Sequence, residues 1–233
     1  MSQEEPRRAL VVVAHPDDAE FIAGGAIAKL CAEGWEVYYV VATSGDKGTH
    51  DLEISPQQLA RLREDEQRAA ARVLGVGECV FLGYPDGFLE DTAELRGQMV
   101  RLIRHYKPAT VITWDPYRRP FNHRDHRLAG QVAVDAAYPL ARGHLFYPKH
   151  LQEGLEPHRT QELLLAGTDQ PDHYIDISQY LDKKVEALRC HASQMRGRSR
   201  EEMAKMVRER GEEVGKAGGV AVAEAFRRLS FRR

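Results

Sequence analysis

Cysteine is scarce: three residues in 233, at positions 31, 79 and 190. That is too few and too scattered for a disulfide framework or a cysteine-ligated zinc site, and it fits a reducing, cytoplasmic setting. Long apolar runs are missing too. The run Ala9-Leu10-Val11-Val12-Val13 follows a short polar start, Met1 to Arg8, so neither a signal peptide nor a membrane span is expected. No charge of one sign dominates. Lys and Arg number 33 against 35 Asp and Glu, a net −2 that excludes an overall electrostatic footprint for nucleic acid. Neither internal repeats nor low-complexity linkers break the chain, which predicts one domain over 1–233. The glycine fingerprint of a dinucleotide turn is absent after the first apolar run.

In its place stands Ala14-His15-Pro16-Asp17-Asp18-Ala19-Glu20. A short β-branched run reads as a buried parallel strand, and open α/β sheets bind ligands just past such strand ends. Here that place holds an imidazole and two adjacent carboxylates, groups that ligate metals and move protons.

Strands and helices alternate after it. Helices are expected over Phe21 to Glu33, Ser55-Pro56 to Leu74, Thr92 to Tyr106 and His123 to Ala137; strands over Trp35 to Ala42, Cys79 to Leu82 and Ala109 to Trp114. Gly34 and Gly75 mark helix ends. This order predicts an α/β, Rossmann-like three-layer fold, with a mostly parallel sheet and helices on both faces. The last third is less regular. Strands are expected at Glu162 to Ala166 and His173 to Asp176, and a helix over Ile177 to His191. A charged helical segment from Arg196 to about residue 216 reads as a solvated face or an oligomer contact; Gly218-Gly219 ends it before a short final segment.

The second informative cluster is His123-Arg124-Asp125-His126, past the fourth strand. Residues three apart share a helix face, so His123 and His126 can enter one cleft. His15, Asp18 and His126 would then form a His₂Asp set with an open fourth position, the pattern of catalytic zinc. Zinc lowers the pKa of bound water to about 7. The same donors also suit Fe²⁺ or another divalent ion.

Together these motifs resemble the PIG-L/LmbE-like family of zinc-dependent N-deacetylases. Gly24-Gly25, Leu74-Gly75-Val76, Tyr84-Pro85-Asp86-Gly87, Tyr174-Ile175-Asp176-Ile177 and His191-Ala192-Ser193-Gln194 add to the match. The resemblance implies removal of an acetyl group from an N-acetylglucosamine-type conjugate. It implies His15, Asp18 and His126 as zinc ligands and Asp17 as the general base. It implies His123 as the group that faces the oxyanion and protonates the leaving amine, and Asp125 as the carboxylate that orients His123 and holds it as imidazolium. Arg63 and Asp86 are implied as substrate-binding residues.

Plainer readings stand beside these. Asp17 and Asp18 would also suit a helix N-terminus, where negative charge is favourable. Arg63 lies among Arg61, Glu64, Asp65 and Glu66, as an exposed salt-bridged residue would, and a Pro-Asp-Gly turn accounts for Asp86 without a ligand. Trp114, Tyr84, Tyr117 and Phe121 read as pocket lining or as core. His191 reads as packing. Other functional readings are an amidase acting on a thiol conjugate or antibiotic intermediate, and a non-catalytic module for nucleotides or sugar phosphates. The expected partners are a small N-acetylated molecule and, where the charged helix is an oligomer contact, a second copy of the chain, with no nucleic acid and no membrane.

Overall fold

The computed structural model describes residues 7–119, 122–195 and 197–231. Strand β1 (Arg8–Val13) is buried over its last five residues because both its edges are paired. It lies between β2 (Glu36–Thr43) and β4 (Thr110–Trp114), both parallel to it. Adding β3 (Glu78–Tyr84), β5 (Glu162–Ala166), β6 (His173–Asp176) and β7 (Ala223–Ser230) gives one seven-stranded sheet in the order β3-β2-β1-β4-β5-β7-β6. The fold is α/β with a mostly parallel sheet. The chain steps to one side of β1 for β2 and β3, then crosses to the other for β4. The gap between the carboxyl ends of β1 and β4 is therefore a topological switch point, where such sheets bind ligands.

Helices cover both faces. On one, α1 (Asp18–Ala32) and α2 (Pro56–Leu74) pack Ala23, Ile27, Ala70 and Leu74 on Val11 and Val13. On the other, α3 (Ala93–Tyr106) and α4 (Arg124–Asp135) pack Met99, Ile103 and Val132 on Leu10 and Val12. The helix boundaries follow local chemistry. Ser55 and Gln58 form a capping box ahead of Pro56, and Gly75 closes α2 at φ 93°, a conformation glycine adopts without a Cβ penalty.

The remaining helices are α5 (Lys149–Gln152), α6 (Leu181–Arg189) and α7 (Arg200–Gly218). A third cluster, with Ile177, Leu188, Met203 and Val222, joins α6 and α7 to the sheet edge. Here the structure departs most from the sequence reading. The short final segment is β7, which runs antiparallel between β5 and β6. The helix expected over Ile177 to His191 divides into a 3₁₀ turn (Ser178–Tyr180) and α6, and the one expected to Ala137 ends at Asp135, followed by a π-helical turn (Ala136–Leu140). The start of α7 at Arg200 trims the charged helix, whose expected first residue, Arg196, lies outside the described residues, as does Phe121. No helix among the described residues is long and apolar enough to cross a membrane.

Candidate metal centre

The turn from β1 into α1 is strained. Asp17 sits at φ 99°, in the left-handed region that non-glycine residues rarely occupy. The turn sends the side chains of the two neighbouring aspartates in different directions. Asp18 points into the gap between β1 and β4. Its Oδ2 accepts the backbone N–H groups of Ala14 (3.1 Å) and His15 (2.9 Å) and the indole N–H of Trp114 (3.0 Å). Its Oδ1 lies 3.1 Å from His126 Nε2. Asp17 instead turns toward α2, where its backbone N–H donates to Gln67 Oε1 at 2.8 Å and its Oδ2 lies 3.3 Å from the Arg63 guanidinium.

His126 arrives from the first turn of α4. Its ring stacks on Trp114, with centroids 4.0 Å apart and 6° between planes. Gly130 makes this closeness possible, because a Cβ there would fall 2.3 Å from the Trp114 carbonyl oxygen. His15 Nδ1 is 3.2 Å from His126 Nε2 and 3.6 Å from Asp18 Oδ2. His15 Nε2 faces Asp86 Oδ1 at 3.1 Å and Asp125 Oδ2 at 3.3 Å. The two clusters, more than a hundred residues apart in sequence, thus meet at the switch point.

These donors fit a divalent cation. Imidazole nitrogens and carboxylate oxygens are the donor types of zinc; His15 Nδ1 and His126 Nε2 are 3.2 Å apart, the first lying 3.6 Å from Oδ2 and the second 3.1 Å from Oδ1 of the Asp18 carboxylate. Donor atoms of His15, His123 and His126, and of His15, Asp86 and Asp125, also lie within 4.8 Å of one another. The electrostatics ask for positive charge. Burial alone would lower the His15 pKa, but hydrogen bonds to Asp125, Asp18 and Asp86 overcome it and push the imidazole up to about 12. A proton held this firmly supplies charge where a cation would. Burial raises Asp18, yet His126 and His15 hold it well below the carboxylate range. Burial, reinforced by Asp18, lifts Asp17 to about 7 against the pull of Arg63.

Several residues stand elsewhere than the sequence suggested. Asp125 is fully buried and accepts the N–H groups of Gly87 (2.6 Å) and Leu89 (3.3 Å) while facing His15. Its carboxylate makes no hydrogen bond to His123. Only its backbone N–H reaches that ring, donating to His123 Nδ1 at 3.2 Å. With Nδ1 accepting, the proton of a neutral His123 sits on Nε2. Burial, together with His15 and His126, holds the His123 pKa below its ordinary value, which opposes the imidazolium expected from the resemblance.

Arg63 is 4% exposed. Its terminal nitrogens donate to the Gly45 (2.9 Å) and Pro16 (2.6 Å) carbonyls and to Asp17. It braces the β1–α1 turn where a substrate clamp was expected, because it lies on the buried stripe of α2 with Leu59, Gln67, Ala70 and Leu74. Asp86 faces His15, not open solvent.

The sequence reading missed Gln67, and it gave Glu20 no role. Glu20 is fully buried and held by Gln67 Nε2 (2.9 and 3.0 Å), Tyr39 OH (3.2 Å) and His191 Nε2 (3.1 Å). The signal for Gln67 was its spacing, four residues from Arg63 on an otherwise apolar stripe.

A model of the GlcNAc-PI de-N-acetylase (PIG-L) family matches residues 10–137, more than half of the chain. The chain belongs to the PIG-L family. Diacetylchitobiose deacetylase of Thermococcus kodakarensis is 36% identical over 188 residues, covering 81% of this chain and 70% of that protein. A 1D-myo-inositol 2-acetamido-2-deoxy-alpha-D-glucopyranoside deacetylase of Mycobacteroides abscessus is 30% identical over 230 residues, covering 81% and 82%. Among solved structures, the inhibitor complex of N,N'-diacetylchitobiose deacetylase from Pyrococcus horikoshii superposes with a TM-score of 0.90 at 31% identity, over 97% of this chain and 85% of that one. The fold is not confined to these PIG-L deacetylases. A 4-carboxy-2-hydroxymuconate hydratase from Pseudomonas putida shares it, with a TM-score of 0.81 at 24% identity over 97% of this chain and 98% of that one. Function must therefore be argued from the site.

Proposed function

We propose that this PIG-L family chain is a metal-dependent N-deacetylase. It hydrolyses the acetamide of an N-acetylglucosamine conjugate, giving acetate and the free amine. One observation supports the reading: side chains of His15, Asp18 and His126 come together past the ends of β1 and β4, while the neighbouring Asp17 is turned aside and held apart. We assign Zn²⁺ to these three donors; Fe²⁺ fits the same set. When bound, the cation supplies a Lewis acid and lowers the pKa of a coordinated water to about 7.

The protein groups do the rest. The Asp17 carboxylate, steadied by Arg63 on Oδ2, takes the proton of the attacking water on its other oxygen. His123, with its Nε2–H free of backbone partners, donates a hydrogen bond to the developing oxyanion, and the proton taken up by Asp17 passes to the departing nitrogen, which leaves as the free amine. Asp125 and Asp86 accept from His15 Nε2 and fix that ring so that Nδ1 is presented to the cation, as outer carboxylates do for ligating histidines. The enzyme is assigned to the cytoplasm.

The test is acetate release from N-acetylglucosamine glycosides with bound metal quantified on the same sample. Asp17→Asn should keep its metal and lose about 10²- to 10⁴-fold in kcat. A fully metallated Asp17→Asn protein as active as the parent would refute the assignment of the base.

A further inference from the structure

The candidate centre does not stand alone in its cavity. Trp114, Asn122, His123 and His126 line a space of about 710 Å³ whose other walls come from α1, α6, α7, β7 and the loop that carries Thr168. The stretch contributed by α1, α6 and α7 is mainly hydrocarbon. Phe21 and Ile22 of α1, Leu188 of α6, and Met206 and Val207 of α7 border the space and offer no hydrogen-bonding side chain. Ile177, Leu188 and Val207 are 1%, 0% and 7% exposed and belong to the packed cluster that joins α6 and α7, so this part of the wall is firmly built.

Two charged side chains in the wall cancel each other. Lys184 Nζ meets Glu224 Oε1 at 2.6 Å and donates to the Phe21 carbonyl at 2.9 Å. Glu224 also accepts the N–H groups of Gly25 (3.0 Å) and Ala26 (2.8 Å). Arg118 and Arg210 also border the cavity, the first partly buried and the second exposed. The helices α6 and α7 and strand β7 lie beyond residue 137, where the family match ends.

Sugar hydroxyls find partners in Asn122, Thr168 and the two histidines but gain nothing from the hydrocarbon stretch, where an aliphatic chain gains about 0.8 kcal/mol per buried methylene. We infer that this cavity takes an aliphatic chain carried by the amino-sugar substrate, with Phe21, Ile22 and Met206 setting the preference. The inference rests on the deacetylase reading and narrows its substrate class. The chain has two possible sources, the N-acyl group itself or an alkyl aglycone.

Two substrate series separate them: N-acyl glucosamines from acetyl to hexanoyl, and alkyl N-acetylglucosaminides from methyl to hexyl. With metal-loaded enzyme, kcat/KM should rise up to about fourfold per methylene along the series whose chain enters the cavity, the rate equivalent of 0.8 kcal/mol. Phe21→Gln and Met206→Gln, at two positions that are not fully buried, should flatten that rise and leave turnover of methyl N-acetylglucosaminide unchanged. Calorimetric binding of the alkyl glucosaminides, which carry no amide, reads the cavity independently of hydrolysis and should tighten with chain length if the aglycone is the occupant.

A rise in either series that both variants abolish supports the inference. Flat series alongside active hydrolysis of the methyl glycoside overturn it and leave the deacetylase reading intact. A rise that survives both variants overturns the assignment to this cavity. If no member of either series is hydrolysed, the deacetylase reading falls, and the aliphatic site falls with it unless alkyl glucosaminides bind more tightly with length.

Discussion

Gln67 touches no substrate, yet replacing it should slow the reaction. It is fully buried and makes three hydrogen bonds, accepting from the Asp17 N–H at 2.8 Å and donating twice to Glu20 at 2.9 and 3.0 Å. In Gln67→Met the Asp17 N–H is orphaned, at a cost of about 1–3 kcal/mol. Glu20 loses its amide donors but keeps Tyr39 and His191, which adds about 1.5–3 kcal/mol for bonds to a charged group. The protein should therefore remain folded but lose about 3–5 kcal/mol of stability by denaturant titration. The kinetic effect follows from backbone strain. A left-handed non-glycine residue lies about 1–2 kcal/mol above its relaxed conformation, so without its anchor the Asp17 turn slackens. A displacement of about 1 Å at a reacting group costs about 10²-fold, and the remaining Arg63 contact moderates this, so kcat should fall about 10- to 100-fold. Metal affinity should not change, because Asp18 has its own three donors. KM should not change either, because Gln67 does not line the cavity. The swap Gln67→Glu with Glu20→Gln preserves an acceptor for Asp17 and one amide–carboxylate pair, and should recover most of the lost kcat. Wild-type kcat per bound metal in Gln67→Met, measured by acetate release, would refute the reasoning.

Other consequences are as direct. His126→Ala removes one of three cation donors and should weaken zinc affinity by more than about 100-fold in chelator competition; Trp114→Phe keeps the stack, loses the bond to Asp18 and should cost about 10- to 100-fold. Arg104 is fully buried, and its guanidinium donates to the carbonyls of Leu140, Ala141, Gly143, Phe146 and Tyr147, so Arg104→Met should destabilise by about 3–5 kcal/mol without altering kcat of the folded enzyme. Less than about 1 kcal/mol by urea titration would show that the cage is dispensable. Burial holds His158 below its ordinary 6.5, against the bond to the Pro108 carbonyl. Its folded pKa is depressed, so its contribution is complete above pH 6.5 and is lost as pH falls through the lower folded value. The stability advantage of wild type over His158→Asn should therefore shrink on acidification; an advantage that grew would contradict the sign.

How much of this was legible in the sequence depended on distance along the chain. The β1 run and the segments at 15–20 and 123–126 were readable because strand, turn and ligand types are contiguous, and parallel topology makes strand ends converge. Strand β7 was not, because Ala223–Ser230 mixes Glu224, Arg227 and Arg228 into a short segment whose partners lie far upstream, β6 by about fifty residues and β5 by about sixty. The partner of Asp125 was misread for a related reason. The family resemblance assigned it to His123, whereas the first turn of α4 turns the carboxylate inward to His15, and the left-handed Asp17 is likewise a property of the folded turn. That turn also explains why two adjacent aspartates can hold separate posts. In an ordinary helical start both carboxylates would compete for the same N–H groups. With Asp17 at φ 99°, its amide is drawn off to Gln67 and its side chain to Arg63, while Asp18 alone takes the donors of the β1 end. Under the proposed mechanism the strained residue is the device that lets one carboxylate be a ligand and the other a base, and the buried Gln67–Glu20–His191 chain is the part of the fold that holds it in place.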